Sequence, residues 1–128
     1  MSELTNPKRG EIWRVNFNPT KGQEIQKVRP ALVIGLDQLG HWGLRIVVPI
    51  TDGKERYKKC PWFVGLNATA ANGLEKDSEA DTSQVKSLSL DRFRERLGVA
   101  AEVQVQQVAA AIALCAYFAR GHYALDMS

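Results

Sequence analysis

Ile12-Trp13-Arg14-Val15-Asn16-Phe17 sets Trp13, Val15 and Phe17 at every second position, with Arg14 and Asn16 between them. A period of two belongs to a strand with one buried face, so the chain opens as β-structure. The turn residues Asn18-Pro19-Thr20-Lys21-Gly22 end that strand. After a polar stretch comes Arg29-Pro30, then the continuous apolar run Ala31-Leu32-Val33-Ile34, which predicts a central strand buried on both sides. Pro30 fixes its own φ and biases Arg29 toward extended backbone, so Arg29 is expected to stand rigidly at the mouth of this strand. A loop over residues 37–43 precedes a third, β-branched strand, Leu44-Arg45-Ile46-Val47-Val48-Pro49-Ile50. Thr51 closes it where a basic loop begins, Lys54-Glu55-Arg56-Tyr57-Lys58-Lys59.

Further outward, Pro61-Trp62-Phe63-Val64-Gly65-Leu66 reads as a strand, with Trp13 and Trp62 expected in the core. Residues 67–73 read as a turn or short helix, and residues 79–88 as one weaker strand with Gln84 and Lys86 on a shared face. Asp91-Arg92-Phe93-Arg94-Glu95-Arg96-Leu97-Gly98 resembles a helical turn closed by glycine, over about residues 90–97. From Ala101 the period lengthens: Val105, Val108, Ile112, Cys115 and Ala119 fall on one helical face, and Arg120 and Gly121 supply a stop near residue 120. The prediction is an α+β domain, a small curved sheet of about five or more mostly antiparallel strands with a C-terminal α-helix. Residues 1–7 are expected to be a flexible N-terminus, residues 8–121 a single domain and residues 122–128 a tail.

Composition agrees with one soluble core: 128 residues, 45% hydrophobic and 24% charged, leave room for neither a second domain nor wholesale disorder. No apolar run approaches the roughly 20 residues of a membrane span, and the N-terminus has no apolar stretch behind a basic start. A cytoplasmic protein is expected, with Cys60 and Cys115 as free thiols. The net charge of +3 is uneven: residues 1–60 hold 11 Lys and Arg against 6 Asp and Glu, whereas residues 61–128 hold 6 against 8. A basic front half favours an anionic partner, nucleic acid first.

Phosphate-loop, dinucleotide and nucleophile-elbow motifs are missing. His41 and His122 are the only imidazoles, both outside the regular elements, and the carboxylates are scattered, so neither a metal nor another cofactor is expected. What remains are polar groups at strand ends: Glu24, Arg29, Thr51, Gln84 and Lys86. Such a set lacks a strong nucleophile but suits a substrate that brings its own, as RNA does in its 2′-OH. Cleavage then needs a base, cations for the phosphorane charge and an acid for the leaving oxygen.

Three spaced blocks carry a resemblance: Arg9-Gly10-Glu11-Ile12-Trp13, then Pro19-Thr20-Lys21-Gly22-Gln23-Glu24, then Arg29-Pro30-Ala31-Leu32-Val33-Ile34. Together with Gln84-Val85-Lys86-Ser87, they resemble the MazF/PemK (Kid) toxins over roughly residues 8–120. The resemblance implies an SH3-like barrel and a homodimer. It implies a metal-independent endoribonuclease that cuts single-stranded RNA, mostly messenger RNA, at chosen sequences and leaves a 2′,3′-cyclic phosphate and a 5′-OH. It also implies a MazE-like antitoxin partner. The family's catalytic positions fall on Arg29, Thr51 and Glu24, and its glutamine on Gln84. Arginine presents a planar fork of donors to a phosphate. Glu24 is placed either to take the 2′-OH proton or to pair with Arg29. RNA contacts are expected from Gln23, Lys27, Lys54, Arg56, Tyr57, Lys58, Gln84 and Lys86, with Tyr57 as a stacking platform among phosphate-binding cations. PemK-type members carry a histidine, an arginine and an aspartate where this chain has Gln23, Asp81 and Ser83, so that mechanism is not transferred and the chain is closer to the MazF branch. A non-catalytic RNA- or protein-binding module of the same fold, including a CcdB-like gyrase poison, is the alternative expectation.

Overall fold

The computed structural model describes residues 5–18 and 27–118. Seven strands fall within these: β1 (Glu11–Asn16), β2 (Val28–Val33), β3 (Leu44–Asp52), β4 (Phe63–Leu66), β5 (Ser78–Asp81), β6 (Lys86–Ser89) and β7 (Phe93–Val99). They are followed by helix α1 (Glu102–Ala113). The strand order is β4-β5-β3-β2-β1-β7, with β6 also on β3, and every pair is antiparallel. This open, curved sheet with one C-terminal helix is consistent with an SH3-like barrel.

β3 is the strand on which the sheet turns. Its first half pairs with β6 (Leu44 opposite Ser89 through Val47 opposite Lys86) and with β2 (Val47 opposite Val33 through Pro49 opposite Ala31). Its last three residues leave β2 and pair with β5, Ile50 opposite Ala80 through Asp52 opposite Ser78. β2 meanwhile continues alongside β1 alone, from Pro30 opposite Arg14 to Val28 opposite Asn16. The two strands part at Pro30 and Pro49, neither of which has an N–H to extend a ladder. A fork therefore opens between the start of β2 and the end of β3.

The alternation of β1, β2 and β3 feeds two cores. Ile12, Leu32, Val48, Ile50, Leu66 and Ala80 form one, closed by Val105 and Val108 of α1. Trp13, Val15, Ala31, Val33, Val47 and Phe93 form the other, with Phe17 and Leu88 packed against it. The apolar run Ala31–Ile34 is buried throughout, as its pattern predicts. Trp13 meets Phe93 edge to face at 5.9 Å and is buried, whereas Trp62 is 38% exposed and is not a core residue.

Three further expectations are corrected. Residues 90–97 are not a helical turn; a short 3₁₀ turn, Leu90–Arg92, leads into the edge strand β7, whose charged residues Arg94, Glu95 and Arg96 face solvent. Residues 79–88 are not one strand, because the Asp81 side chain accepts from the Ser83 backbone N–H at 3.1 Å and turns the chain through Thr82–Gln84. The loop at residues 37–43 contains a 3₁₀ helix, Asp37–Trp42. Ahead of β1, buried Arg45 donates to the Pro7 carbonyl at 2.8 Å and to Asn6 Oδ1 at 2.9 Å.

One glycine is required by packing. A Cβ at Gly98 in β7 would lie 2.3 Å from the Ala71 carbonyl oxygen, where residues 71–72 cross the strand and Val99 donates to the same carbonyl at 2.8 Å. Gly98→Ala is expected to lower stability by about 1–3 kcal/mol through overpacking. Leu32→Ala, which empties a fully buried site, is expected to cost about 2–5 kcal/mol. Denaturant unfolding of both variants checks the pair.

Candidate active site

The fork between β2 and β3 holds a groove of about 440 Å³ lined by Phe17, Lys27, Arg29, Pro49, Thr51, Asp81, Gln84 and Lys86. Each element brings its residue for a local reason. Arg29 lies in β2 immediately before Pro30, on the stretch that β3 no longer covers, and is exposed. Thr51 is on β3 two residues past Pro49, opposite Glu79 of β5. Gln84 ends the turn that Asp81 caps, and buried Thr82 locks that turn by donating from Oγ1 to the Trp62 carbonyl at 2.7 Å. Lys86 opens β6, its ammonium 5.6 Å from the centroid of the Phe17 ring.

Electrostatically the groove is basic, with Lys27, Arg29 and Lys86 against the single carboxylate Asp81. That carboxylate is already engaged, since its Oδ1 also accepts from the Ser83 hydroxyl at 2.6 Å. Arg29 makes no ion pair with any described residue. The arrangement offers a rigid fork of donors, a hydroxyl, a carboxamide and two flexible ammoniums around one space.

Of the anticipated residues, five thus meet here: Lys27, Arg29, Thr51, Gln84 and Lys86. Lys54 and Lys58 do not; they line an adjoining groove of about 470 Å³ with Phe63, Gly65 and Glu79. Arg56 and Tyr57 belong to the 3₁₀ turn Glu55–Lys59, and Gln23 and Glu24 lie outside the described residues. Sequence reasoning missed Glu79, which is 8% exposed and whose carboxyl is pushed above the ordinary range by burial, an effect that nearby Lys58 partly offsets. A carboxylate at the start of an alternating polar segment carries no signal of burial. Phe17, read only as a core face residue, also borders the groove. Among the described residues, no three His, Cys, Asp or Glu side chains gather as a metal site, and no helix is long and apolar enough to cross a membrane. Cys115 is a free cysteine whose Sγ lies 3.7 Å from Thr82 Oγ1.

Residues 8–115 match the family described as PemK-like, MazF-like toxin of type II toxin-antitoxin system. Endoribonuclease MazF9 of Mycobacterium tuberculosis is 32% identical over 113 residues, covering 84% of this chain and 93% of that protein. Endoribonuclease MazF of Staphylococcus saprophyticus is 25% identical over 105 residues, covering 82% and 87%. Among solved structures, MazF from Deinococcus radiodurans superposes with a TM-score of 0.68 at 26% identity, over 85% of this chain and 94% of that one. The MazE-MazF structure (Form-II) from the same organism gives 0.70 at 26% identity, over 86% and 95%. With a family match spanning nearly all of the described chain and a fold shared with those structures, this chain belongs to the PemK-like, MazF-like toxins of type II toxin-antitoxin systems.

Proposed function

We propose that this toxin is an endoribonuclease that cuts single-stranded RNA, messenger RNA included, in the cytoplasm and so halts growth. The observation that carries this reading is the convergence of Arg29, Thr51, Gln84, Lys27 and Lys86 on one groove, with the Arg29 guanidinium unpaired among the described residues. The relatives named endoribonuclease support it.

In the proposed reaction the ribose 2′-OH loses its proton, to Glu24 or to water, its oxygen attacks phosphorus, and the P–O5′ bond breaks as O5′ takes up a proton from water. The products are a 2′,3′-cyclic phosphate and a 5′-OH. Arg29 holds the non-bridging oxygens by charge-assisted hydrogen bonds that strengthen as charge accumulates on them. The Thr51 hydroxyl donates to the same phosphate from the opposite bank. Gln84 and the two lysines orient the flanking nucleotides, Lys86 being steadied over Phe17. Glu24 is the assigned carboxylate, either removing the 2′-OH proton or orienting Arg29. No step calls on a metal ion. The partner is a cognate antitoxin, as in the MazE-MazF structures of Deinococcus radiodurans, with an acidic segment laid over this basic groove. The working unit is a homodimer.

Incubation of the purified protein with a long unstructured RNA in EDTA is expected to give discrete cuts ending in cyclic phosphate. Arg29→Ala is expected to slow cleavage by about 100-fold or more while leaving the unfolding temperature unchanged, because the side chain is exposed. Undiminished cleavage by the folded variant would overturn the assignment, and uncut RNA that is nevertheless bound would make the protein a binding module. Binding to a non-cleavable RNA is expected to weaken steeply with salt, and Lys86→Ala to reduce the slope of log K against log salt by about 0.7, one phosphate contact.

A further inference from the structure

The second groove is built on the same sheet face as the first. Thr51 of β3 lies opposite Glu79 of β5, and Glu79 lies opposite Gly65 of β4. Directly opposed residues of antiparallel strands share a face and are about 5 Å apart. The same sheet face therefore carries Thr51, at the bank of the first groove, and Glu79, in the second. Over Glu79 it is hollow, because a Cβ at Gly65 would meet nothing within 4 Å. Phe63 and Asn67 wall this hollow, Gly53 lies against the Glu79 carboxylate, and Lys54 and Lys58 stand at its rim. Glu79 is 8% exposed and has no hydrogen-bond or ion-pair partner among the described residues; Lys58 instead pairs with Glu55 at 3.7 Å.

We propose that this groove is a base pocket of the RNA-binding surface, in which the Glu79 carboxylate receives the Watson–Crick edge of a guanine next to the phosphate held at Arg29. The assignment rests on reading the neighbouring groove as the RNA-cleaving site. A carboxylate only accepts hydrogen bonds. Guanine alone presents two adjacent donors on that edge, N1–H and the 2-amino group, matching two carboxylate oxygens. Cytosine and adenine set an acceptor beside their one amino donor, and uracil flanks its N–H with two carbonyls. Phe63 offers an aromatic wall to the base, and the rim lysines suit its phosphates. An acidic peptide side chain would be repelled by Glu79, so the pocket favours RNA over an antitoxin segment.

Keeping an acid there lowers stability. A carboxyl whose folded-state affinity for protons is raised contributes stability at low pH that is lost as pH rises through its folded value. Glu79→Gln removes that loss, so the variant is expected to unfold no lower than the native protein at neutral pH.

The test is fluorescence anisotropy with a short 2′-fluoro oligouridine, which has no attacking hydroxyl, carrying one central guanine, one central inosine or uracil only. The native protein is expected to prefer guanine over uracil by about tenfold, the worth of one bidentate base contact, with inosine in between for want of its amino group. Glu79→Gln should lose the preference, and so should Gly65→Leu, which fills the hollow at an exposed position and keeps the pocket testable should the first variant fail to fold. Equal binding of guanine and uracil by the native protein, or a preference that survives in both folded variants, would overturn the pocket. Cleavage is read separately on 2′-OH RNA: a guanine preference without cuts would remove the nuclease reading alone, and cuts with unaltered sequence choice in Glu79→Gln would remove the pocket alone.

Discussion

Two neighbouring strands that stop pairing partway along their length create the groove on which the proposed site is built. β2 and β3 run together only over Ala31 to Val33, and beyond Pro30 and Pro49 each follows another partner. Proline removes a donor and fixes φ, so the separation is written into covalent structure and does not depend on a mobile loop. A cation before the first proline and a hydroxyl after the second then face each other across a gap with rigid banks. Anion recognition gains from this, because little conformational freedom is lost when the ligand arrives.

The same fork explains why the candidate surface is shared among five strands. β3 crosses from the β2 side to the β5 side, carrying the sheet face with it, and β4 extends that face further. The Asp81-capped turn then folds back so that Gln84 and Lys86 close the groove from the other side. Thr82 ties this turn to the Trp62 carbonyl and lies 3.7 Å from Cys115 Sγ beyond α1, so the far end of the helix braces the part of the site that holds Gln84.

Elements whose burial follows a simple period were legible in the sequence. Trp13, Val15 and Phe17 lie on one face as their spacing requires, and the run Ala31–Ile34 is buried on both sides. β7 was not legible, because an edge strand with solvent on one side can carry Arg94-Glu95-Arg96, a string that reads as a charged helix. Gly98 looked like a helix stop, but it is there because residues 71–72 press on the strand. The site followed the same rule. Arg29 was visible through the proline beside it, whereas Glu79 is buried by partners from β3 and β4 that no local pattern announces. Trp62, assigned to the core because it lies on a strand pattern, stands partly outside beside β4, the terminal strand of the sheet.

β1 lies between β2 and β7, so the first strand to be synthesised has the last as a partner, with Glu11 opposite Val99. Such end-to-end pairing places the chain among slow folders, since the ends must meet before the closing contacts are gained. A ribosome releasing this chain therefore exposes a long, incomplete sheet with one flank of β1 bare. The second core is also unfinished until Phe93 emerges to cover Trp13. An activity that depends on this sheet is thereby withheld until β7 has been made and has paired with β1.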